Sequence, residues 1–187
     1  MAAREIPVLA FVGAPAAGKS EAASIAAEMG IPVVVMGEEI RAELRRRGLP
    51  LNDETAGRVA TELREKEGRD AVAKRCIPRI KEIEKGIVVV DGIRGIAEVE
   101  TLKEEFGDEF LLVNIEAPLT IRYERILSRG RVDNSLSLDE FKKREARENG
   151  WGLGEAMQKA SIVIKNEGSL AEFKAAIKKL LLLYYRV

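Results

Sequence analysis

The feature that most constrains the fold is the segment GAPAAGKS at positions 13–20. It fits the pattern G-x-x-x-x-G-K-[ST] completely. An apolar run, VLAFV at 8–12, comes directly before it, and an alanine-rich segment with helical spacing, EAASIAAEM at 21–29, follows it. The pattern forms a phosphate-binding loop when it joins a strand to a helix, and this chain supplies that context. A chance glycine-rich turn is therefore a poor alternative.

The chemistry of such a loop explains its spacing. Successive backbone N–H groups point at phosphate oxygens, and the positive end of the following helix adds to the attraction. Lys19 would reach the β- and γ-phosphates, and the Ser20 hydroxyl would complete the shell of a bound Mg²⁺ ion. Many kinases carry glycine where Ala16 stands, which is a mild departure. The segment predicts a site for ATP and Mg²⁺ formed by Gly13, Ala14, Pro15, Ala16, Ala17, Gly18, Lys19 and Ser20.

Five short, β-branched apolar runs alternate with longer charged segments of helical periodicity. Short and nearly continuous apolar runs are typical of strands that are buried on both faces of a parallel sheet. We therefore predict a three-layer α/β/α sandwich with a five-stranded parallel sheet. The predicted strands are Val8–Val12, Val33–Met36, Ile87–Val90, Phe110–Ile115 and Ser161–Ile164. The predicted helices cover about 18–29, 38–47, 53–66, 69–85, 95–106, 119–129, 138–149 and 169–184.

Charged residues follow the predicted strands at the edge where ligands bind in such folds. Asp91 closes the run IVVVD, which is the usual form of the acidic element that holds Mg²⁺ directly or through water. The alternative is that Asp91 caps an Asp-Gly turn. Arg41 and Arg94 lie just beyond the second and third strands, where a planar guanidinium can bind phosphate oxygens in pairs. Each could instead be a solvated surface charge.

These elements resemble those of the P-loop nucleoside monophosphate kinases, adenylate kinases above all. The segment GEEIR at 37–41 looks like the Gly-Asp-Leu-Leu-Arg element, and DGIR at 91–94 looks like the Asp-Gly-Phe-Pro-Arg element without its proline. The resemblance implies that Gly37, Arg41 and Arg94 hold the acceptor phosphate. It also implies a P-loop NTPase fold in one domain, 1–187, with a helical acceptor-binding region at about 37–85 and a short lid at about 125–150.

The segment RILSRGR at 125–131 looks like the start of that lid. The resemblance implies that Arg125 and Arg129 contact the donor phosphates and act in catalysis with Lys19 and Asp91. Their i, i+4 spacing fits an exposed helix face equally well. The resemblance also offers Arg144 and Arg147 as the matching arginines beyond the lid. A surface position is nevertheless the simpler interpretation of Arg122, Arg131, Arg144 and Arg147.

A second resemblance is to dephospho-CoA kinase, carried by EMGIPV at 28–33 and by the segments at 160–164 and 166–170. That family phosphorylates a hydroxyl group, which requires a base, and places an Asp just after the second strand. Met36 holds that position here, although Glu38 or Glu39 could substitute. The chain also looks like uncharacterised archaeal kinase-like proteins that are related to both families.

Composition narrows the remaining possibilities. Lys plus Arg equals Asp plus Glu, at 31 each, which argues against bulk nucleic-acid binding. The chain has no histidine, so a His-ligated metal and a catalytic His are excluded, and the single Cys76 excludes an intrachain disulfide. We find no convincing signal peptide and no apolar stretch near the about 20 residues that cross a bilayer. We predict a soluble cytoplasmic protein, monomeric or homodimeric.

The function predicted from these features is transfer of the γ-phosphoryl group of Mg-ATP to a small nucleotide, above all a nucleoside monophosphate such as AMP. Dephospho-CoA kinase is the alternative within the same class. An ATPase that switches a protein or RNA partner is the alternative of another class. No spacing selects Arg58 or Arg64 within the acceptor-binding region, and Trp151 is interpreted as an anchor of the segment after the lid, with stacking on a base as the alternative. The apolar tail at 180–185 fits a helix packed on the sheet or a dimer contact.

Overall fold

The computed structural model describes residues 6–84, 86–128 and 137–185. Each strand is followed by one to three helices in these ranges. In chain order they are β1 Val8–Val12, α1 Lys19–Glu28, β2 Val33–Val35, α2 Gly37–Arg46, α3 Asp53–Glu67, α4 Ala71–Lys81, β3 Val88–Asp91, α5 Ile96–Phe106, a 3₁₀ turn Gly107–Glu109, β4 Phe110–Glu116, α6 Leu119–Ser128, α7 Leu138–Gly150, α8 Leu153–Gln158, β5 Ile162–Lys165 and α9 Leu170–Tyr184. No helix within these ranges is long and apolar enough to cross a membrane.

The strands form one sheet in the order β2-β3-β1-β4-β5, and every pairing is parallel. β1 lies in the centre, with Phe11 paired to Asp91 of β3 and to Val113 of β4. This register brings the carboxyl ends of β1, β2 and β3 to one edge. The loops that follow those strands, which contain the predicted site residues, therefore begin side by side.

Both faces of the sheet are covered by helices, which confirms the predicted three-layer sandwich. Val8, Ala10 and Val12 of β1 pack on one side, with the helices α2, α3, α4, α5 and α8. Leu9 and Phe11 pack on the other side, with α1 and α9. Alternate residues of one strand thus enter two separate cores, which is why the strand is apolar throughout.

The observed elements differ from the predicted elements in three places. β3 extends to Asp91, because that residue still pairs with Phe11 and Val35 in the sheet. α4 ends at Lys81, although the helical pattern runs on to 85. The six-residue helix α8 was not predicted, because it lies in a glycine-rich stretch and follows Gly152, whose φ is 90°.

Candidate active site

The phosphate-binding segment follows β1 and is shaped by two glycines. A Cβ atom at Gly13 would lie 2.4 Å from the carbonyl oxygen of Ile115, and one at Gly18 would lie 2.4 Å from Nδ2 of Asn166. No larger residue fits without moving β4 or Asn166. Ala16 has a φ of 62° and is the one non-glycine residue with positive φ in the described part of the chain. Such conformations cost roughly 1–3 kcal/mol and cluster at functional sites.

The carbonyl groups of the loop accept hydrogen bonds from side chains. Nζ of Lys19 donates to Gly13 at 2.6 Å and to Ala14 at 3.0 Å. The loop also receives hydrogen bonds from two arginines of α6 and from Asn166, which follows β5. Arg122 donates to Pro15 at 3.1 Å, Arg125 to Ala16 at 3.4 Å and Ala17 at 3.2 Å, and Asn166 to Ala17 at 2.8 Å.

The N–H groups of the loop are used differently. Those of Ala16 and Gly18 donate no hydrogen bond to any residue that the structure describes, whereas that of Ala17 donates to Ala14. The first N–H groups of α1 likewise have no partner within their own helix. The loop therefore presents donors, while its acceptors are satisfied, and this arrangement fits a polyanion such as a triphosphate.

Lys19 lies at the inner end of the loop and is 6% exposed. Burial lowers the pKa of Lys19 to about 7, and the nearby Arg94 and Arg144 act in the same direction, against Glu148 and Asp91. An anion placed beside Lys19 would oppose this shift. A buried amine whose charge is disfavoured mainly by burial, with charges of both signs around it, fits a site that receives an anion.

A cleft of about 1110 Å³ opens next to the loop. The sequence-predicted residues Ser20, Gly37, Arg41, Asp91 and Arg94 all line it. Its other walls come from α1, the end of β2, α3 and α7. The structure therefore brings the predicted metal and acceptor residues together around one space beside Lys19.

Asp91 is 7% exposed, and its backbone oxygen accepts a hydrogen bond from the N–H of Met36 at 2.8 Å. Its carboxyl group lies within electrostatic reach of Lys19. No group of three or more Asp, Glu, His or Cys side chains that could hold a metal occurs in the described ranges. Ser20 and Asp91 together offer two oxygen ligands, and Mg²⁺ at phosphoryl-transfer sites commonly has one or two protein ligands.

The two predicted acceptor arginines are held by carboxylates. Arg94 pairs with Glu148, with 2.9 Å between Nη1 and Oε2, and the Glu148 charge raises the pKa of Arg94 against the effect of burial. Arg41 pairs with Glu38 three residues earlier, and both of these side chains are about half exposed. The Arg41 pair is therefore open to solvent, whereas Arg94 is paired with a buried carboxylate.

Helix α7 contributes most of the remaining charges of the cleft. Arg144 donates from Nε to Oε1 of Glu148 at 3.0 Å and lies 3.6 Å from Asp53 of α3. Arg147 pairs with the other oxygen of Asp53 at 3.0 Å. From the sequence, a surface position was the simpler interpretation of both arginines, with a place beyond the lid as the alternative, and no pattern pointed to Glu148 or Asp53. The Arg144–Glu148 pair is an ordinary i, i+4 pair within α7, and what marks it is the contact with Arg94 and Asp53, which lie elsewhere in the chain.

A second group fixes the loop that carries Arg94. Glu98 is fully buried and accepts from the N–H groups of Arg94 at 2.7 Å and Gly95 at 3.2 Å. Its other oxygen accepts from Arg64 of α3 at 2.5 Å. The Arg64 guanidinium also lies 4.1 Å from the centre of the Trp151 ring. Arg64 and Trp151 both line the cleft, so this ion pair connects α3 to the acceptor side.

The predicted lid arginines lie on the donor side or outside the described residues. Arg125 contacts the phosphate-binding loop and the carbonyl of Asn166, at 2.9 Å from Nη2. Arg122 contacts the same loop and pairs with Glu145 of α7 at 2.6 Å. Arg129 and Arg131 lie outside the described residues. The resemblance of RILSRGR to a lid singled out Arg125, and its contact with the donor phosphates stays a prediction. No sequence signal pointed to Asn166 beyond its place after β5.

Comparison with known proteins supports the same architecture. A family model described as an AAA domain matches residues 12–142. The UPF0200/UPF0201 protein of Archaeoglobus fulgidus is 56% identical over 180 residues, covering 95% of this chain and 56% of that protein, so the chain spans little more than half of that relative. UPF0200 proteins of Methanosarcina acetivorans and Pyrococcus horikoshii are 50% and 39% identical, with 93% and 94% of their lengths covered.

Among solved structures, the protein TT1252 of Thermus thermophilus aligns with a TM-score of 0.62 at 20% identity, covering 96% of this chain and 98% of that one. Shikimate kinase of Acinetobacter baumannii in complex with shikimate and a gluconokinase of Sinorhizobium meliloti each align with a TM-score of 0.55 at 17% identity; coverage is 96% of this chain and 93% and 96% of theirs. At such identities these likenesses show the fold, that of small-molecule P-loop kinases. The chain belongs to the AAA-domain family and to the UPF0200 proteins, and it has a P-loop kinase fold.

Proposed function

We propose that the protein transfers the γ-phosphoryl group of Mg-ATP to a small nucleotide acceptor bound in the cleft, above all a nucleoside monophosphate such as AMP. The observation that carries the proposal is the meeting of Lys19, Arg94 and Arg144 where the phosphate-binding loop opens into the cleft. Three cations at this junction fit a reaction in which two phosphate groups must approach each other.

On the donor side, the loop N–H groups and Lys19 would hold the triphosphate, and Ser20 and Asp91 would hold the Mg²⁺ that accompanies it. When bound, magnesium would neutralise part of the charge of the phosphate groups. Arg122 and Arg125 support the loop from its carbonyl side, and Arg125 and Arg129 remain candidates for contact with the donor phosphates. The donor side thus supplies positioning and neutralisation of charge, which are the main contributions to catalysis of phosphoryl transfer.

On the acceptor side, Arg94 and Arg41 would bind the acceptor phosphate beside Gly37, and Arg144 would assist. An ionised phosphate acceptor needs no base, because it carries no proton that must be removed before attack. The helical region at about 37–85 would close on the acceptor, and the region at about 125–150, which contains α7, would serve as the lid within a single domain.

The alternative is a hydroxyl acceptor, as in dephospho-CoA kinase. It is favoured by one observation: Glu38 lines the cleft on α2, close to the position where that family has its Asp, and is exposed enough to act as a base. Met36, which holds the family position itself, is buried and has no ionisable group. Glu39, the other candidate base, is engaged in an ion pair with Arg79 at 3.2 Å.

The test is to incubate the protein with Mg-ATP and a panel of nucleoside monophosphates and dephospho-CoA, with Lys19→Ala as the inactive control. We expect phosphorylation of at least one monophosphate and none by the control. Transfer to dephospho-CoA alone would support the hydroxyl alternative. Hydrolysis of ATP that no acceptor stimulates, but that RNA or a protein partner does, would replace both with a nucleotide-dependent switch.

A further inference from the structure

The carboxyl group of Glu148 is placed where an anionic ligand of the cleft would be expected. It is 2% exposed, and its two oxygens bind two different guanidinium groups, Oε2 to Arg94 at 2.9 Å and Oε1 to Arg144 at 3.0 Å. All three side chains line the cleft. A carboxylate that bridges two arginines in this way uses the same donors that a bound phosphate or carboxylate would use.

The charge of Glu148 is maintained in spite of its burial. Burial alone would raise the pKa of this carboxyl group, but Arg94, Arg144 and Lys19 outweigh that effect and lower it. Glu148 is therefore an anion at neutral pH. Arg94 has no other side-chain acceptor among the described residues, and the second partner of Arg144, Asp53, is 3.6 Å away and is shared with Arg147.

We propose that Glu148 determines which acceptors the cleft admits, selecting phosphate monoesters against carboxylate-bearing acceptors by competing for Arg94 and Arg144. This inference rests on the proposed function, because it assigns the cleft to an anionic acceptor. It adds a specificity-determining residue that lies on α7, away from the strand ends where the other site residues occur.

The physical reason is a difference in charge and in the number of oxygens. A carboxylate ligand that displaced Glu148 would form the same ion pairs that it broke and would leave a buried carboxylate without partners, which is strongly unfavourable. A phosphate monoester carries a charge of about −1.5 to −2 at neutral pH and three acceptor oxygens. It can therefore bind both arginines more strongly than Glu148 does, or bind them beside it.

The experiment measures binding of two ligand pairs that differ in the anionic group. AMP is compared with adenosine 5′-carboxylate, and inorganic phosphate with acetate, by calorimetry on the full chain and on Glu148→Gln. We expect the wild type to prefer each phosphate by at least about 100-fold. In Glu148→Gln, we expect carboxylate binding to tighten and the preference to narrow by about tenfold, because the arginines no longer have a competing anion.

Two further variants make the result specific. Glu145→Gln carries the same change one turn away on α7, at a glutamate that pairs with Arg122, and should leave the preference unchanged. Glu148→Asp keeps the charge and should retain most of the wild-type preference. Thermal melting shows whether each variant is folded. If Glu148→Gln is not folded, Glu148→Asp is compared with the wild type instead.

The proposal is overturned if Glu148→Gln binds the phosphates more weakly without gaining carboxylate affinity, since Glu148 would then only position Arg94. It is also overturned if the preference does not change, or if Glu148→Asp loses it. Failure of the proposed function has a different signature: no acceptor is phosphorylated, while the preference for inorganic phosphate over acetate still depends on Glu148.

Discussion

Gly57 of α3 and Arg147 of α7 fit so closely that a Cβ atom at position 57 would lie 2.5 Å from the guanidinium carbon of Arg147. The glycine lies inside a fifteen-residue helix, where alanine would be preferred by about 1 kcal/mol. Its presence allows the Arg147 side chain to cross α3 and reach Asp53. This contact joins the predicted acceptor-binding region to α7, and both charged residues line the cleft.

Gly57→Ala should therefore raise the acceptor KM while leaving the free energy of unfolding nearly unchanged. The gain in helix propensity, about 1 kcal/mol, offsets the loss of a partly exposed ion pair worth less than about 1 kcal/mol, so the free energy of unfolding should change little. The acceptor KM should rise several-fold, because the methyl group displaces Arg147 from Asp53.

The control is Gly154→Ala in α8, where a Cβ atom meets nothing within 4 Å. It should leave the acceptor KM unchanged, and denaturant unfolding in the same buffer compares the stabilities of the two variants. An unaltered acceptor KM in Gly57→Ala would show that the Arg147–Asp53 contact has no role in acceptor binding.

Glu98 and Arg64 form the buried ion pair on which the Arg94 loop depends. Glu98→Gln should destabilise the protein by about 3 kcal/mol, because breaking a buried pair leaves the Arg64 charge without its counter-ion. Adding Arg64→Met should restore part of that loss, and guanidinium chloride unfolding of the single and double variants measures it.

Exposed pairs provide the comparison. Lys81 and Glu105 form an ion pair at the surface, and Glu105→Gln should change the unfolding free energy by less than about 0.5 kcal/mol. Equal effects of Glu98→Gln and Glu105→Gln would contradict the importance assigned to burial.

The low pKa of Lys19 predicts that nucleotide binding is accompanied by proton uptake that depends on pH. Its pKa of about 7 lies far below the usual value for lysine, because of burial and then Arg94. A bound phosphate anion favours the protonated amine and raises this pKa, so binding takes up a proton wherever the free protein has lost it, which is above about pH 7.

Calorimetry of Mg-ADP binding in buffers of different ionisation enthalpy measures this uptake. Close to one proton per site is expected from Lys19 at pH 8, and little at pH 6, where the amine is already mostly protonated. Identical proton uptake at both pH values would show that Lys19 is not the group being titrated.

The sequence predicted the features that depend on local pattern, and it missed those that depend on tertiary packing. Asp91 and Arg94 could be placed because the carboxyl ends of parallel strands lie at one edge of the sheet. Glu148 could not, since its link to Arg94 joins residues 54 positions apart, and its helix has an ordinary charged pattern.

The same contrast appears at the loop. The motif identified Lys19 and Ser20, but the donors to the loop carbonyls come from α6 and from Asn166, 149 positions from Ala17. Arg122 and Arg125 are one arginine pair among many in a chain whose residues are 33% charged. The resemblance to a lid singled out Arg125, but only the packing of α6 against the loop distinguishes Arg122 from a surface residue.

Arg125 supports the loop through the carbonyls of Ala16 and Ala17, and this predicts how its loss affects the donor. In Arg125→Met the loop loses donors that bind its carbonyl side, and hydrogen bonds from a charged group are worth about 1.5–3 kcal/mol each. We expect binding of Mg-ADP and Mg-ATP to weaken by a similar factor, about tenfold.

The control is Glu124→Gln, at an exposed residue of the same helix, and this variant should bind both nucleotides normally. Because ADP lacks the γ-phosphate, a loss confined to Mg-ATP would instead indicate that Arg125 contacts that phosphate directly, as the lid of related kinases implies. Fluorescence of Trp151, the single tryptophan, offers a check that the cleft is intact in both variants.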